Sequence, residues 1–249
     1  MFSQSYCSTA VLTLTTYSFY REEMKVTAVL PAFNAEKTLE KTYNAIPKND
    51  VHEIILVDDA STDDTVLQAK KISDLIVIVH DKNKGYGGNQ KTCYKEALSR
   101  GADVVIMIHP DFQYDPRYVP DMLAPILRGE ADMVLGSRFL GHDPRVDGMV
   151  WWRYWGNRFL TTLQNRTLKT SFSEGHSGYR AYHRRVLETI AYQKFSNDFV
   201  FDSQMIVAAV QSNMRIVEVR VPTRYAFESS SISFIASIKY GIDTLKSLM

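Results

Sequence analysis

An α/β fold, with a mostly parallel central sheet covered by helices on both faces, is the class this sequence predicts, and two observations predict it. Short apolar runs alternate with helix-length segments from residue 26 to about residue 136, the pattern of successive βαβ units. The runs are continuous rather than alternating apolar and polar, as expected of strands buried on both faces. Strands are expected at 26–31, 53–58, 74–80, 103–109 and 132–136, and helices at 36–46, 62–73, 87–100 and 116–128. No internal repeat or low-complexity segment interrupts them, and 249 residues suit a single domain.

Each strand end carries its own signal. The first run stops at Pro31, which has no N–H for a ladder. Asn34 is then expected to cap a helix running through Leu39 and Tyr43. The second run ends in Asp58 and Asp59; Ser61 or Thr62 is the expected N-cap of the next helix, with Asp63 and Asp64 favoured in its first turn. Adjacent carboxylates repel unless they accept from donors, and the amide and hydroxyl groups of a base and ribose are such donors. A capped turn explains residues 61–64 but not the Asp58–Asp59 pair. After the third strand come Gly85, Gly87 and Gly88. Glycines allow close backbone approach to a ligand, and the following helix would offer free N–H groups to an anion. The spacing fits neither a Walker loop nor a dinucleotide fingerprint.

The fourth strand is the most informative. Its apolar run, 104–108, stops at Asp111, Gln113 and Asp115. Hard oxygen ligands at a strand end suit Mg²⁺ or Mn²⁺ held against a phosphate, and open α/β sheets bind ligands at the carboxyl ends of their strands. The bland alternative is an Asx turn.

Composition excludes several classes. A net charge of +1 gives no basis for nucleic-acid binding, and Cys7 and Cys93 alone make neither a disulfide framework nor a zinc site. Such cysteine usage suits a reducing, cytoplasmic compartment. No apolar run reaches eighteen residues, so no spanning helix is expected. Residues 1–23, rich in Ser, Thr and Tyr, make a poor signal peptide and are expected to be a disordered or artefactual extension before Met24.

The second half differs in character. Trp151, Trp152 and Trp155 are the three tryptophans, and Phe159, Leu160, Leu163 and Leu168 follow at helical spacing. Eight basic residues lie between Arg145 and Arg185, opposed by Asp147 and Glu174. Aromatics mixed with arginine suit an interfacial helix on a membrane; a helix packed on the sheet is the alternative. Residues 196–210 read as a loop and helix, 214–221 as a strand, and Phe234, Ile235, Ile238, Ile242, Leu245 and Met249 as an apolar helical stripe. That stripe leaves core covering, membrane docking and self-association into a homo-oligomer open.

These residues together resemble the family 2 glycosyltransferases, specifically the dolichol-phosphate mannose synthase-like, polyprenyl-phosphate branch, over about residues 24–225. The resemblance implies a GT-A type single domain, Rossmann-like, with a nucleotide-sugar and metal half at 24–137 and an acceptor half at 138–249. It implies that Pro31-Ala32-Phe33-Asn34-Ala35-Glu36 and Val57-Asp58-Asp59 hold the nucleotide of a sugar donor, with Lys84, Gly85 and Asn89 of the glycine-rich segment beside them. Asp111-Phe112-Gln113 matches the segment that holds the metal on the diphosphate. Gly136-Ser137-Arg138 matches a loop whose arginine faces the acceptor phosphate, and Ser177-Gly178-Tyr179-Arg180 a segment near the acceptor. One position departs: His109 stands where the family usually has the first Asp of Asp-x-Asp. Imidazole suits Mn²⁺ better than Mg²⁺, and ligation, hydrogen bonding and packing are all open to it.

The implied reaction is transfer from a GDP- or UDP-sugar to a polyprenyl phosphate by a single inverting displacement, at the cytoplasmic face of a membrane with peripheral contact. The metal at Asp111 and Gln113 would neutralise the leaving diphosphate, and Arg138, with Arg153 and Arg158 behind it, would position the acceptor. A sugar-hydroxyl acceptor would instead need a carboxylate base, and Asp198 and Asp202 are the candidates. A nucleotide-sugar binder without transfer activity is the reading from a different class. A nucleotidyltransferase is disfavoured, because residues 31–36 have neither the glycines nor the basic residue of its N-terminal loop.

Overall fold

The protein is described here by a computed structural model over residues 24–223 and 234–248; the expectation for residues 1–23 lies outside the described residues. Seven strands among these form one sheet in the order β3-β2-β1-β4-β6-β5-β7. They are β1 (Val26–Ala32), β2 (Glu53–Asp58), β3 (Leu75–Val79), β4 (Val104–Met107), β5 (Met133–Ser137), β6 (Arg180–His183) and β7 (Ile216–Arg220). The helices are α1 (Leu39–Ala45), α2 (Thr65–Ala69), α3 (Tyr86–Ser99), α4 (Val119–Leu127), α5 (Trp151–Leu168), α6 (Arg184–Thr189), α7 (Phe201–Gln211) and α8 (Phe234–Ser247).

The continuous apolar runs are the strands buried on both faces. Along β1, Ala28 and Leu30 pack with Leu39 of α1 and Met122 and Ile126 of α4 on one face. Val29 between them packs with Cys93 and Tyr94 of α3 and Phe201 and Met205 of α7 on the other. The period of two along a strand makes that division.

The chain builds β1, β2 and β3 outward in parallel, then returns to place β4 on the other side of β1. The gap between β1 and β4 is therefore a switch point, where the loops after the two strands diverge and leave a crevice. The loops that flank it start at Phe33 and at Ile108, immediately after the two strands.

β6 was not anticipated. It lies antiparallel between β4 and β5, and the sheet is otherwise parallel. Four residues, Arg-Ala-Tyr-His, are too short and too polar to read as a buried strand. Yet Arg180 is fully buried. Its Nε donates to Ser177 O at 2.8 Å, its Nη1 to Asp202 O at 2.7 Å and its Nη2 to Gly175 O at 3.3 Å. Burial works against its charge, but the Asp202 carboxylate, 3.9 Å from Nη2, outweighs that and raises its pKa.

Two capping expectations are corrected. Asn34 does not cap α1. It adopts a left-handed conformation at φ 51°, and its Oδ1 accepts from Thr62 N at 2.9 Å, tying the loop after β1 to the loop after β2. Nor do Ser61 or Thr62 cap α2. The N-cap is Asp64, whose side chain makes no capping bond; Asp63 before it accepts from Thr65 N at 3.0 Å, while Ser61 Oγ accepts from Asn34 N at 2.8 Å. Cross-loop partners outcompeted the local ones that a sequence can display.

The arginine at the heart of β6 generates a prediction. Arg180→Lys keeps the charge but cannot reach three carbonyls from one ammonium, so one or more buried acceptors lose their donor. The expected cost is about 2–3 kcal/mol, read as a lower urea midpoint at unchanged slope. An unchanged midpoint would refute the role.

Candidate active site

A cleft of about 470 Å³ opens at the switch point. From the first half of the chain it is lined by Pro31, Ala32, Asn34, Asp59, Gly85, Asn89, His109, Asp111 and Gln113. From the second half come Arg138, Met149, Trp152, Arg153, Leu160, His176 and Tyr240. Most donor, metal and acceptor candidates from the sequence thus share one cavity. Glu36, Asp58, Lys84, Arg158 and Asp202 are not among its lining residues.

The Asp58–Asp59 pair finds its donors within the chain. Asp58 is fully buried, and its Oδ2 accepts from Ser61 N at 2.9 Å. Asp59 accepts from Lys84 N at 2.8 Å, Gly85 N at 2.9 Å and His80 Nδ1 at 2.7 Å. The pair therefore braces the turn after β2 and anchors the glycine-rich segment, with Asp59 at the edge of the cleft. Glu36 is likewise occupied, accepting from Asp64 N at 3.0 Å. Asn89 is buried and donates to Val57 O at 3.0 Å.

The glycines do a different job from the one expected. A Cβ on Gly85 or Gly87 would sit 2.7 Å from Asn197 O or 2.5 Å from Ser196 O. The close approach is to the protein's own backbone. Nor is the α3 N-terminus open to an anion, because Gly87 N and Gly88 N both donate to Asn197 O, at 2.7 and 3.4 Å.

Asp111 and Gln113 sit in a tight turn, with Gln113 N donating to Asp111 Oδ1 at 3.0 Å. Among the described residues, no group of three or more His, Cys, Asp or Glu side chains is arranged to hold an ion alone. A carboxylate and an amide oxygen facing a cleft nevertheless fit a hard divalent cation that takes its remaining ligands from a diphosphate. His109 is bound by a neighbour: its Nε2 lies 3.1 Å from the Tyr86 hydroxyl, which donates to Asp202 Oδ2 at 2.8 Å.

On the second half, Arg138 is not a lone cation. It pairs through Nε and Nη2 with Glu174, which is fully buried. Glu174 also accepts from Arg138 N at 2.8 Å and Asn157 Nδ2 at 2.7 Å. Burial pushes the Glu174 pKa up, but Arg138 and these donors hold it below the usual carboxylate value. Arg153 faces the cleft with its guanidinium over the Trp152 ring, 5.0 Å from the centroid. Arg158 lies at the surface, with Nη1 3.4 Å from Ser173 O.

Sequence reasoning missed Tyr86, Glu174, His176 and Tyr240. Glu174 did leave a trace, as one of two acids within a basic stretch. His176 Nδ1 meets the Tyr240 hydroxyl at 2.6 Å, and burial lowers its pKa to about 4; the 64 residues between them leave no local signal. Of the two proposed bases, Asp202 takes Tyr86 on one oxygen and Gln90 Nε2, at 3.3 Å, on the other. Asp198 is exposed and pairs with Lys239 at 2.6 Å.

Such a cleft, at the switch point of an α/β sheet with carboxylate and amide oxygens on one half and arginines on the other, suits a transferase that works on phosphorylated substrates. Residues 27–191 match the model of Glycosyl transferase family 2, and the chain belongs to that family. Among its relatives is a UDP-N-acetylglucosamine–dolichyl-phosphate N-acetylglucosaminyltransferase of Methanococcus voltae, 26% identical over 79% of this chain and 84% of that one. An uncharacterized protein of Methanocaldococcus jannaschii is 30% identical over 83% of this chain and 84% of its own length. Glucosyl-3-phosphoglycerate synthase from Mycobacterium tuberculosis, solved with Mn²⁺, UDP and glucosyl-3-phosphoglycerate, superposes with a TM-score of 0.72 at 21% identity. That match covers 93% of this chain and 81% of the synthase, and bears out the GT-A type fold.

The Arg138–Glu174 pair sets how its mutants behave. Arg138→Ala strands a buried carboxylate and is expected to lose about 3–5 kcal/mol of stability. Adding Glu174→Gln removes the stranded charge and should restore at least half of that loss in urea unfolding. Equal stability of the single and double variants would show that the pair does not carry the loop.

Proposed function

We propose that the chain transfers a sugar from a nucleotide-sugar donor to the phosphate of a polyprenyl phosphate, inverting the anomeric centre in one displacement. The phosphate oxygen bonds to the anomeric carbon as the bond to the nucleoside diphosphate breaks. The observation that carries this reading is the single cleft in which Asp111 and Gln113 face Arg138 and Arg153. The activity of the M. voltae relative supports both substrate classes.

Asp111 and Gln113 would hold the divalent cation, Mg²⁺ or Mn²⁺, which when bound neutralises charge on the leaving diphosphate. The loops after β1 and β2, locked together by Asn34, form the donor wall. A phosphate monoester has a second pKa near ~6, so at neutral pH it is mostly dianionic and needs no base. Positioning is what it requires, and Arg138, fixed by Glu174, supplies it with Arg153. The hydroxyl-acceptor alternative is weaker, because Asp202 is already engaged on both oxygens and Asp198 pairs with Lys239 outside the cleft.

Helix α5 supports a membrane-bound acceptor. Its inward face is polar: Asn157, Thr161 and Gln164 are buried. Its outward face carries Trp151, Trp155 and Phe159, which are 73%, 61% and 63% exposed. A surface helix in water has the opposite arrangement. With exposed Arg158, Arg166 and Lys169 beside that stripe, α5 is suited to lie in the interface of an anionic bilayer. No helix among the described residues is long and apolar enough to cross one.

Two experiments test this. Radiolabelled GDP- and UDP-sugars, with short-chain polyprenyl phosphate and Mn²⁺ or Mg²⁺, should send label into the organic phase. Donor binding with no label in lipid for any sugar would defeat the proposal. Changing Trp151, Trp155 and Phe159 together to Ser should lower partitioning onto anionic vesicles at least tenfold, since a fully buried aromatic contributes about 2 kcal/mol. Unchanged partitioning would remove α5 from the membrane.

A further inference from the structure

His109 stands just after β4 and two residues before Asp111, and what surrounds the ring dictates which nitrogen it can offer. Tyr86 is the key. Its hydroxyl meets two neighbours, Asp202 Oδ2 at 2.8 Å and His109 Nε2 at 3.1 Å. A phenol has one proton. Asp202 is flanked by Arg180, 3.9 Å away, and by the Gln90 amide. As a carboxylate it only accepts, so the Tyr86 proton points to Asp202. The contact to the imidazole must then run the other way, with Nε2–H donating to the Tyr86 oxygen.

The ring has little freedom to do otherwise. Tyr86 stacks on it, with centroids 5.3 Å apart and planes 19° apart, and Phe199 backs Tyr86 at 4.6 Å. On the remaining side a Cβ at Gly178 would lie 2.7 Å from Nε2, so only glycine leaves the ring this position. The ring lines the cleft together with Asp111 and Gln113. Nδ1 has no hydrogen-bond partner among the described residues. A histidine whose far nitrogen is anchored through a hydroxyl to a carboxylate is how proteins orient and strengthen a metal-binding imidazole.

We propose that Tyr86 and Asp202 are positioning residues that hold His109 as the Nε2–H tautomer, presenting Nδ1 to the divalent cation of the cleft and favouring Mn²⁺ over Mg²⁺. A nitrogen ligand suits Mn²⁺ better than Mg²⁺, which binds almost wholly through oxygen. This rests on the reading of Asp111 and Gln113 as the residues that hold the cation. It gives functions to Tyr86, Asp202 and Gly178 that the strand-end motif alone does not.

The test reads the metal rather than turnover. The full-length protein is prepared with ¹⁴N- and with ¹⁵N-histidine, loaded with Mn²⁺ plus UDP or GDP, and examined by pulsed electron paramagnetic resonance. The expected result is one directly bound histidine nitrogen that changes with the isotope and disappears in His109→Asn. Tyr86→Phe, which keeps the stacked ring but loses the hydroxyl, should weaken Mn²⁺ binding roughly tenfold and leave Mg²⁺ binding within twofold. His109→Asp should lower the preference for Mn²⁺ over Mg²⁺. Mn²⁺ and nucleotide bound together without a histidine coupling would overturn this inference alone. Failure of either nucleotide to recruit Mn²⁺ would overturn the functional reading and this inference with it.

Discussion

The buried negative charge of Glu174 organises the part of the molecule that follows β5. Moving a carboxylate out of water costs several kcal/mol unless it is paired and hydrogen-bonded. Here the donors come from two separate elements: the loop after β5, through Arg138, and α5, through Asn157. Because the anion is fully buried, neither element can move away without leaving it unpaired. The same pairing sets the electrostatics of the cleft. Arg138 is already engaged by Glu174, so the dianionic phosphate of the proposed acceptor would have to draw on Arg153 as well.

The first half of the chain solves the opposite problem. It has carboxylates in plenty, and most are consumed internally. Asp59, Asp63 and Glu36 each accept from a backbone N–H of a neighbouring loop, and Asp58 accepts from one within its own turn. Three loops that would otherwise be independent become one rigid rim. On the proposed reading, Asp111 and Gln113 would then suffice as oxygen donors to the cation, because the rim would hold a diphosphate in reach without further protein ligands. Preorganised loops lose less freedom on binding than flexible ones.

The sequence made the first half of the sheet legible because strands buried on both faces write continuous apolar runs. It also showed the oxygen cluster at Asp111 and Gln113, which lie close together in the chain. It did not show what the acids at Asp58 and Asp59 bind, because their partners are backbone N–H groups, and any residue type but proline supplies one. β6 was hidden for a related reason. A buried arginine satisfied by three carbonyls looks, in a sequence, like a polar interruption. Tyr86 with Asp202, and His176 with Tyr240, are separated by 116 and 64 residues, so their pairing exists only in the fold.

Helix α5 joins the two themes. One side of it is glued to Glu174 by Asn157, and Thr161 continues that polar seam by donating to Asn157 at 3.1 Å. Another side lines the cleft with Trp152, Arg153 and Leu160, and the outward side is aromatic. A lipid phosphate has the same two-sided demand: a charged head that must reach an arginine and a chain that must stay out of water. If the outward face rests in a bilayer, the helix needs to rotate or unfold nothing to bring the head to Arg138. The buried polar seam then has a second consequence. It denies α5 the alternative of turning its aromatic face inward to the core, since that would strand Asn157 and Glu174. The fold therefore keeps the aromatic stripe outside by the cost of the charge beneath it.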